Sequence, residues 1–195
     1  MADPNKSIIL IGPTGAGKST IAHILTAKLD YPVIALDEFK KNYRNDFAFD
    51  QTEETRLREQ SYEESLKFLE PFSAYSVERA LSEHAFGIFD LGASYSVFED
   101  QQLNDKVSQL LEPYPFVILL IPSKDPEASI QILLERGYDN SSGYQDMAVW
   151  ERVARKFVEN HTNFKIAKKV IYTEKSTPEE VSEQILEMFK GNSQV

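Results

Sequence analysis

The chain has 195 residues, 42% of them hydrophobic and 27% charged, ordinary for a soluble globular protein with a core of its own. A net charge of −10 argues against a nucleic-acid-binding surface, which needs a basic patch, and the lack of cysteine excludes disulfides and cysteine–zinc sites. No apolar run reaches the length of a membrane span, and the opening MADPNKS carries no basic-then-apolar signal. The expectation is one domain over residues 1–195, cytoplasmic, with neither nucleic acid nor membrane as partner.

The first element after that polar start is Ser7–Ile11, an apolar, β-branched run of the kind that forms a buried parallel strand. It leads into Gly12, Pro13, Thr14, Gly15, Ala16, Gly17, Lys18, Ser19 and Thr20, which fit the phosphate-binding pattern G-x-x-x-x-G-K-[ST]. The glycines let backbone N–H groups curl around an anion, and a helix opening at Gly17 aims its dipole at the same place. Lys18 should reach the β- and γ-phosphates of a nucleotide, and the Ser19 hydroxyl should ligate Mg²⁺. Ile21, Ile24, Leu25 and Leu29 then mark one face of that helix.

Tyr31–Leu36 is a second strand ending at Asp37-Glu38. Residues 38–51 have no clean period and form a loop or short helix. Thr52 can cap a helix that runs to about Leu69, where Pro71 stops it, and a further helix follows over about 73–84. Phe86–Asp90 is the third strand, followed by Leu91-Gly92-Ala93-Ser94, and Leu103, Val107, Leu110 and Leu111 mark the next helix. Pro115–Ile121 is the most apolar strand. Asp125-Pro126 starts a helix with core face Ile130, Leu133 and Leu134, and the polar, glycine-containing stretch around 136–146 is a mobile lid. Trp150, Val153, Ala154 and Phe157 continue a helical period to about 160. Lys168–Thr173 is the fifth strand, and the capping box Thr177-Pro178-Glu179-Glu180 opens a last helix.

Strands alternating with helices mean a parallel sheet covered on both faces, with ligands at the carboxyl ends of the strands. The first three strands end in Gly12, Asp37 and Asp90, so a phosphate loop and two carboxylates should converge. Asp37 can accept the proton of a substrate hydroxyl, against a plain helix cap. Asp90 can hold Mg²⁺ or orient a substrate hydroxyl, against a turn before Gly92. Gly92 either admits a substrate to the backbone or only turns the chain. Arg56 and Arg58 are either a solvated face paired with Glu53, Glu54 and Glu59, or one of them clamps a substrate anion. Arg136, at the lid hinge, is the preferred cation for the transition state over Arg152 and Arg155. His23, His84 and His161 lack ligand spacing to one another.

On these residues the chain resembles the shikimate kinase and nucleotide kinase group of small P-loop kinases over nearly its whole length. The resemblance implies a three-layer P-loop NTPase α/β fold, a five-stranded parallel sheet in order 2-3-1-4-5 with a short lid, and transfer of the γ-phosphoryl of ATP, with Mg²⁺, to a small-molecule acceptor. It implies nucleotide and metal roles for Lys18 and Ser19. It makes Asp37 the acceptor-hydroxyl residue, Arg56 in TRLRE the substrate arginine, and Arg136 the lid arginine. Ala35 stands where the first acid of D-x-D belongs, DLGAS replaces a triple glycine, and Asn160 is nearest to the position of an arginine before the final strand. These departures leave the acceptor open. A non-catalytic ATP-binding regulator is the competing expectation. A transfer-RNA prenyltransferase, which shares the GPTGAGKS loop, would continue D-S-M-Q-V-Y where this chain has Leu36-Asp37-Glu38-Phe39-Lys40, and the N-K-x-D segment of a GTPase is missing.

Overall fold

The computed structural model describes residues 1–46, 49–137 and 147–192. Strands β1 (Ser7–Ile11), β2 (Val33–Ala35), β3 (Gly87–Asp90), β4 (Val117–Ile121) and β5 (Lys169–Tyr172) form one five-stranded parallel sheet in the order β2-β3-β1-β4-β5. The helices are α1 (Lys18–Leu29), α2 (Leu36–Arg44), α3 (Gln51–Gln60), α4 (Tyr62–Glu83), α5 (Gln101–Leu111), α6 (Pro126–Gly137), α7 (Met147–Glu159), α8 (His161–Ile166) and α9 (Pro178–Asn192). This is the P-loop kinase fold, with the strand order that the resemblance implies.

Side chains alternate across each strand, so β1 feeds two cores. Ile8 and Leu10 pack with Ile21 and Leu25 of α1 and with Val181, Ile185 and Phe189 of α9. Ile9 and Ile11 face the opposite layer, where Val77 of α4, Val107 of α5, Ile130 of α6 and Trp150 of α7 lie. Every residue of β1 and β4 is buried, which explains why both read as unbroken apolar runs. The box at Thr177 forms as expected: Thr177 N–H donates to Glu180 Oε2 at 2.8 Å, and Glu180 N–H to Thr177 Oγ1 at 3.2 Å. No helix among the described residues is long and apolar enough to cross a membrane.

Three elements depart from the sequence reading. β2 ends at Ala35, and Leu36, Asp37 and Glu38 open α2 instead of closing a strand. Two acids in a first helical turn complement the helix dipole. Pro71 does not stop α4, which runs through it to Glu83. The proline is exposed, so the carbonyl it leaves unpaired can be hydrated. The break falls ten residues earlier, at Ser61, whose backbone is extended (φ −158°, ψ 126°). Its N–H closes α3 on Leu57 O and its Oγ accepts from Glu64 N–H of α4. Asp50, not Thr52, caps α3. Finally, the helical run after Trp150 ends at Glu159, as expected, but a short helix α8 that the sequence did not suggest follows it, with Asn160 as its cap accepting from Thr162 N–H at 2.8 Å. The lid expected over 136–146 lies outside the described residues except for Arg136 and Gly137.

Candidate functional site

The parallel strands present their carboxyl ends along one edge, where a cleft of about 520 Å³ opens. That volume is in the range of small-molecule sites. β3 lies between β1 and β2, with Asp90 in register with Leu10 on one side and Ala35 on the other. The loop after β1 and the helix after β2 therefore flank Asp90.

Of the loop residues, Thr14, Gly15, Gly17, Lys18, Ser19 and Thr20 line the cleft, while Gly12, Pro13 and Ala16 are buried beneath it. Gly12 has φ +138°, and a Cβ there would lie 2.2 Å from the carbonyl oxygen of Leu120, so only glycine lets the chain leave β1 past β4. Lys18, the first residue of α1, is 6% exposed. Its ammonium donates to the carbonyls of Gly12 and Pro13, each at 2.9 Å. Burial pulls its pKa below the ordinary 10.5, opposed by the negative charges of Asp90 and Asp37. A desolvated cation held by the loop's own carbonyls, at the mouth of a helix N-terminus, is suited to an incoming anion.

Next to it, Ser19 Oγ donates to Asp90 Oδ2 at 2.5 Å. Among the described residues no three His, Asp or Glu side chains cluster as a metal site. A hydroxyl and one carboxylate nevertheless fit Mg²⁺, which keeps several waters and takes the rest of its ligands from phosphate.

Asp37 lines the same cleft from the first turn of α2, and its Oδ1 accepts a hydrogen bond from the Tyr95 hydroxyl at 3.2 Å. Tyr95 sits in a 3₁₀ turn, Ala93–Tyr95, directly after Gly92. Its phenol is pushed well above the usual range by burial and by the neighbouring Asp37 charge. Gly92 has a negative φ of −55°. What favours glycine there is space, since a Cβ would lie 3.0 Å from Asp37 Oδ2 and 3.2 Å from the Tyr95 ring, and one or both would have to shift by a few tenths of an ångström.

The arginines are sorted by the helices that carry them. Arg56 points away from the cleft and is not among its lining residues: it donates to Glu53 at 2.7 Å and 2.6 Å and to Gln60 at 2.9 Å. Arg58, two residues on, lines the cleft and pairs with the buried Glu54 at 2.7 Å. Arg136, at the end of α6, also lines the cleft and makes no ion pair with a described residue. Arg152 instead pairs with Glu63, and Arg155 with Glu127 and Glu159. Tyr62, Leu66, Leu69 and Phe157 add an apolar wall beside Arg58. Asn160, near the position where the resemblance calls for an arginine, is occupied as the cap of α8. Two residues that the sequence reading did not single out belong to this neighbourhood. One is Tyr95. The other is Arg44, half-buried over the Phe49 ring at 4.3 Å, its pKa lowered by desolvation against the pull of Glu54, Tyr95 and Asp37. Arg44 lies two helical turns after Asp37, a spacing that could have marked it.

The comparisons agree with this fold. The family model described as AAA domain (AAA_33) matches residues 8–160. Among solved structures, shikimate kinase from Acinetobacter baumannii in complex with shikimate is similar with a TM-score of 0.66 and 18% identity, over 96% of this chain and 94% of that one. Shikimate kinase from Aquifex aeolicus is similar with a TM-score of 0.59 and 16% identity, over 96% and 98%. A gluconokinase from Sinorhizobium meliloti is similar with a TM-score of 0.56 and 13% identity, over 100% and 96%. No curated protein sequence matches the chain.

Proposed function

We propose that this chain, which belongs to the AAA domain family, is an ATP-dependent phosphotransferase that moves the γ-phosphoryl of ATP to a hydroxyl of a small molecule. The observation that carries the reading is the meeting, in one cleft, of the buried Lys18 ammonium, the Ser19–Asp90 pair and the Asp37 carboxylate. Fold likeness to shikimate kinases and a gluconokinase supports it.

The loop N–H groups from Thr14 to Thr20 and the Lys18 ammonium bind the polyphosphate and hold it in line. Ser19 and Asp90 would hold Mg²⁺, which neutralises charge on the phosphate oxygens when bound. Asp37 accepts the proton of the acceptor hydroxyl as its oxygen bonds to phosphorus, while the bond from phosphorus to the bridging oxygen breaks and ADP leaves with the electron pair. Arg136 offsets negative charge that gathers on the migrating group. Arg58, with Tyr62 and Leu66, contacts the body of the acceptor. Phe157 and Leu69 help keep water out of the cleft.

Turnover of ATP by purified protein, with and without a panel of small hydroxyl compounds, tests the proposal. Stimulation by one compound supports a kinase, whereas tight nucleotide binding without transfer to any acceptor, water included, would leave a nucleotide-binding regulator. In the same assay Lys18→Ala is expected to lower kcat by at least about 10³-fold while circular dichroism and melting temperature stay near wild type. Wild-type rates in that variant would refute the scheme.

A further inference from the structure

We infer that Tyr95 is a positioning residue that fixes the Asp37 carboxylate for the acceptor hydroxyl, and that Gly92 is glycine to leave room for this pair. The inference rests on the phosphotransferase reading above and adds to it a residue that no part of the phosphate-loop pattern contains.

A carboxylate on the first turn of a helix rotates about two side-chain torsions unless something holds it. Asp37 faces solvent in the cleft. Its one hydrogen-bonding partner among the described residues is the Tyr95 hydroxyl, which reaches Oδ1 at 3.2 Å. Tyr95 itself is 3% exposed and belongs to the main core cluster, so its ring cannot drift. Its backbone is tied as well, since its N–H donates to Gly92 O at 3.0 Å. An ionised carboxylate only accepts, so the phenol must be the donor. Oδ1 then has one lone pair engaged, while Oδ2 accepts from no described residue and is the freer oxygen to accept from a substrate hydroxyl. The hydrogen bond therefore fixes where the carboxylate stands and which oxygen it leaves the more open. Gly92 completes the device. A side chain at that position would press on Asp37 Oδ2 at 3.0 Å and on the Tyr95 ring at 3.2 Å, that is, on both members at once. The two sequence-level readings of Gly92, substrate approach and plain turn, thus give way to a third, clearance for a catalytic pair. Fixing a reacting group before the substrate arrives is worth one to two orders of magnitude in rate where a misplacement of about 1 Å would otherwise occur.

A double-mutant cycle tests this. Tyr95→Phe, Asp37→Asn and the double variant are assayed with ATP and Mg²⁺ on water, shikimate and D-gluconate as acceptors, and ATP affinity is measured by calorimetry. Tyr95→Phe keeps the ring and loses only the donor. Its kcat is expected to fall between about ten- and a hundredfold, with the ATP dissociation constant within about twofold of wild type. In the Asp37→Asn background the same change is expected to alter kcat by less than about twofold, because the phenol acts through the carboxylate. A merely structural tyrosine would give multiplicative losses. Should Tyr95→Phe not fold, Gly92→Ala, which displaces the same pair, is expected to show the same loss and the same lack of additivity with Asp37→Asn. An unchanged kcat in Tyr95→Phe, or multiplicative losses in the cycle, overturns the assignment while leaving the kinase reading intact. The cycle is run on these acceptors together with any compound of the hydroxyl panel that stimulates turnover, and a wild type that binds ATP but transfers phosphate to nothing in that panel, water included, overturns both.

Discussion

Arg56 and Arg58 show how finely a helix selects among identical side chains. Two residues along a helix is a rotation of about 200°, so when one arginine enters the cleft the other must face away. Arg58→Ala is therefore expected to raise the acceptor KM about tenfold and to lower the melting temperature by a few degrees, since it takes the paired cation from the buried Glu54 carboxylate and leaves it the Gln51 amide as hydrogen-bond donor. Arg56→Ala is expected to change neither, because its bonds to Glu53 and Gln60 lie at the surface. Steady-state kinetics and thermal denaturation of the two variants check both statements. The bend after β1 and its place at the carboxyl edge of the sheet were legible, because the pattern that makes them is written in consecutive positions. The choice between Arg56 and Arg58 was not. The segment TRLRE contains both, and only the packing of α3 decides which one turns inward. Tyr95 was invisible for a related reason: its partner stands 58 residues away, and no local period announces the contact.

Elements were legible where hydrophobic periodicity was strong and illegible where two physical rules competed. The unbroken apolar runs of β1 and β4 and the box at Thr177 appear where expected. Pro71 was misleading because exposure weakens its usual effect, and Ser61 was overlooked because a serine that caps one helix while ending another carries no glycine or proline signal. The start of α2 mattered more for the site. Placing Asp37 in a first helical turn instead of at a strand end leaves it on the cleft edge and gives its side chain a direction set by the helix. The helical period through Trp150, Val153, Ala154 and Phe157 forms as expected and is core, with Trp150 fully buried. Trp150→Ala is expected to cost about 3–5 kcal/mol, read as a fall in the urea midpoint, because it empties the largest fully buried side chain between α7 and the sheet. A loss under about 1 kcal/mol would mean that this layer repacks freely.

At the scale of the whole molecule, the burial of Lys18 links folding, protons and nucleotide. Its folded pKa lies below 10.5, the unfolded value, so in the alkaline window between the two the folded chain binds fewer protons than the unfolded chain. Its contribution to stability therefore rises with pH across that window and is unfavourable below it. A polyanion seated on the loop favours the charged ammonium and draws the proton back. In that alkaline window, between the folded value and 10.5, ATP binding is accordingly expected to take up protons, seen as a dependence of the calorimetric heat on the ionisation enthalpy of the buffer. Identical heats in buffers of different ionisation enthalpy would show that Lys18 does not sense the nucleotide.

The place of β3 between β1 and β2 also sets a measure. Adjacent strands stand about 4.8 Å apart, so the strand that launches the phosphate loop and the one that leads to Asp37 are about 10 Å apart across the sheet. That interval belongs to the backbone ladder and cannot be tuned by side chains. On the proposed transfer, a molecule that receives phosphate here would span a fixed gauge with its reactive oxygen. Swapping cleft-wall residues would then exchange the kinds of compound admitted while leaving the distance of the jump as it is.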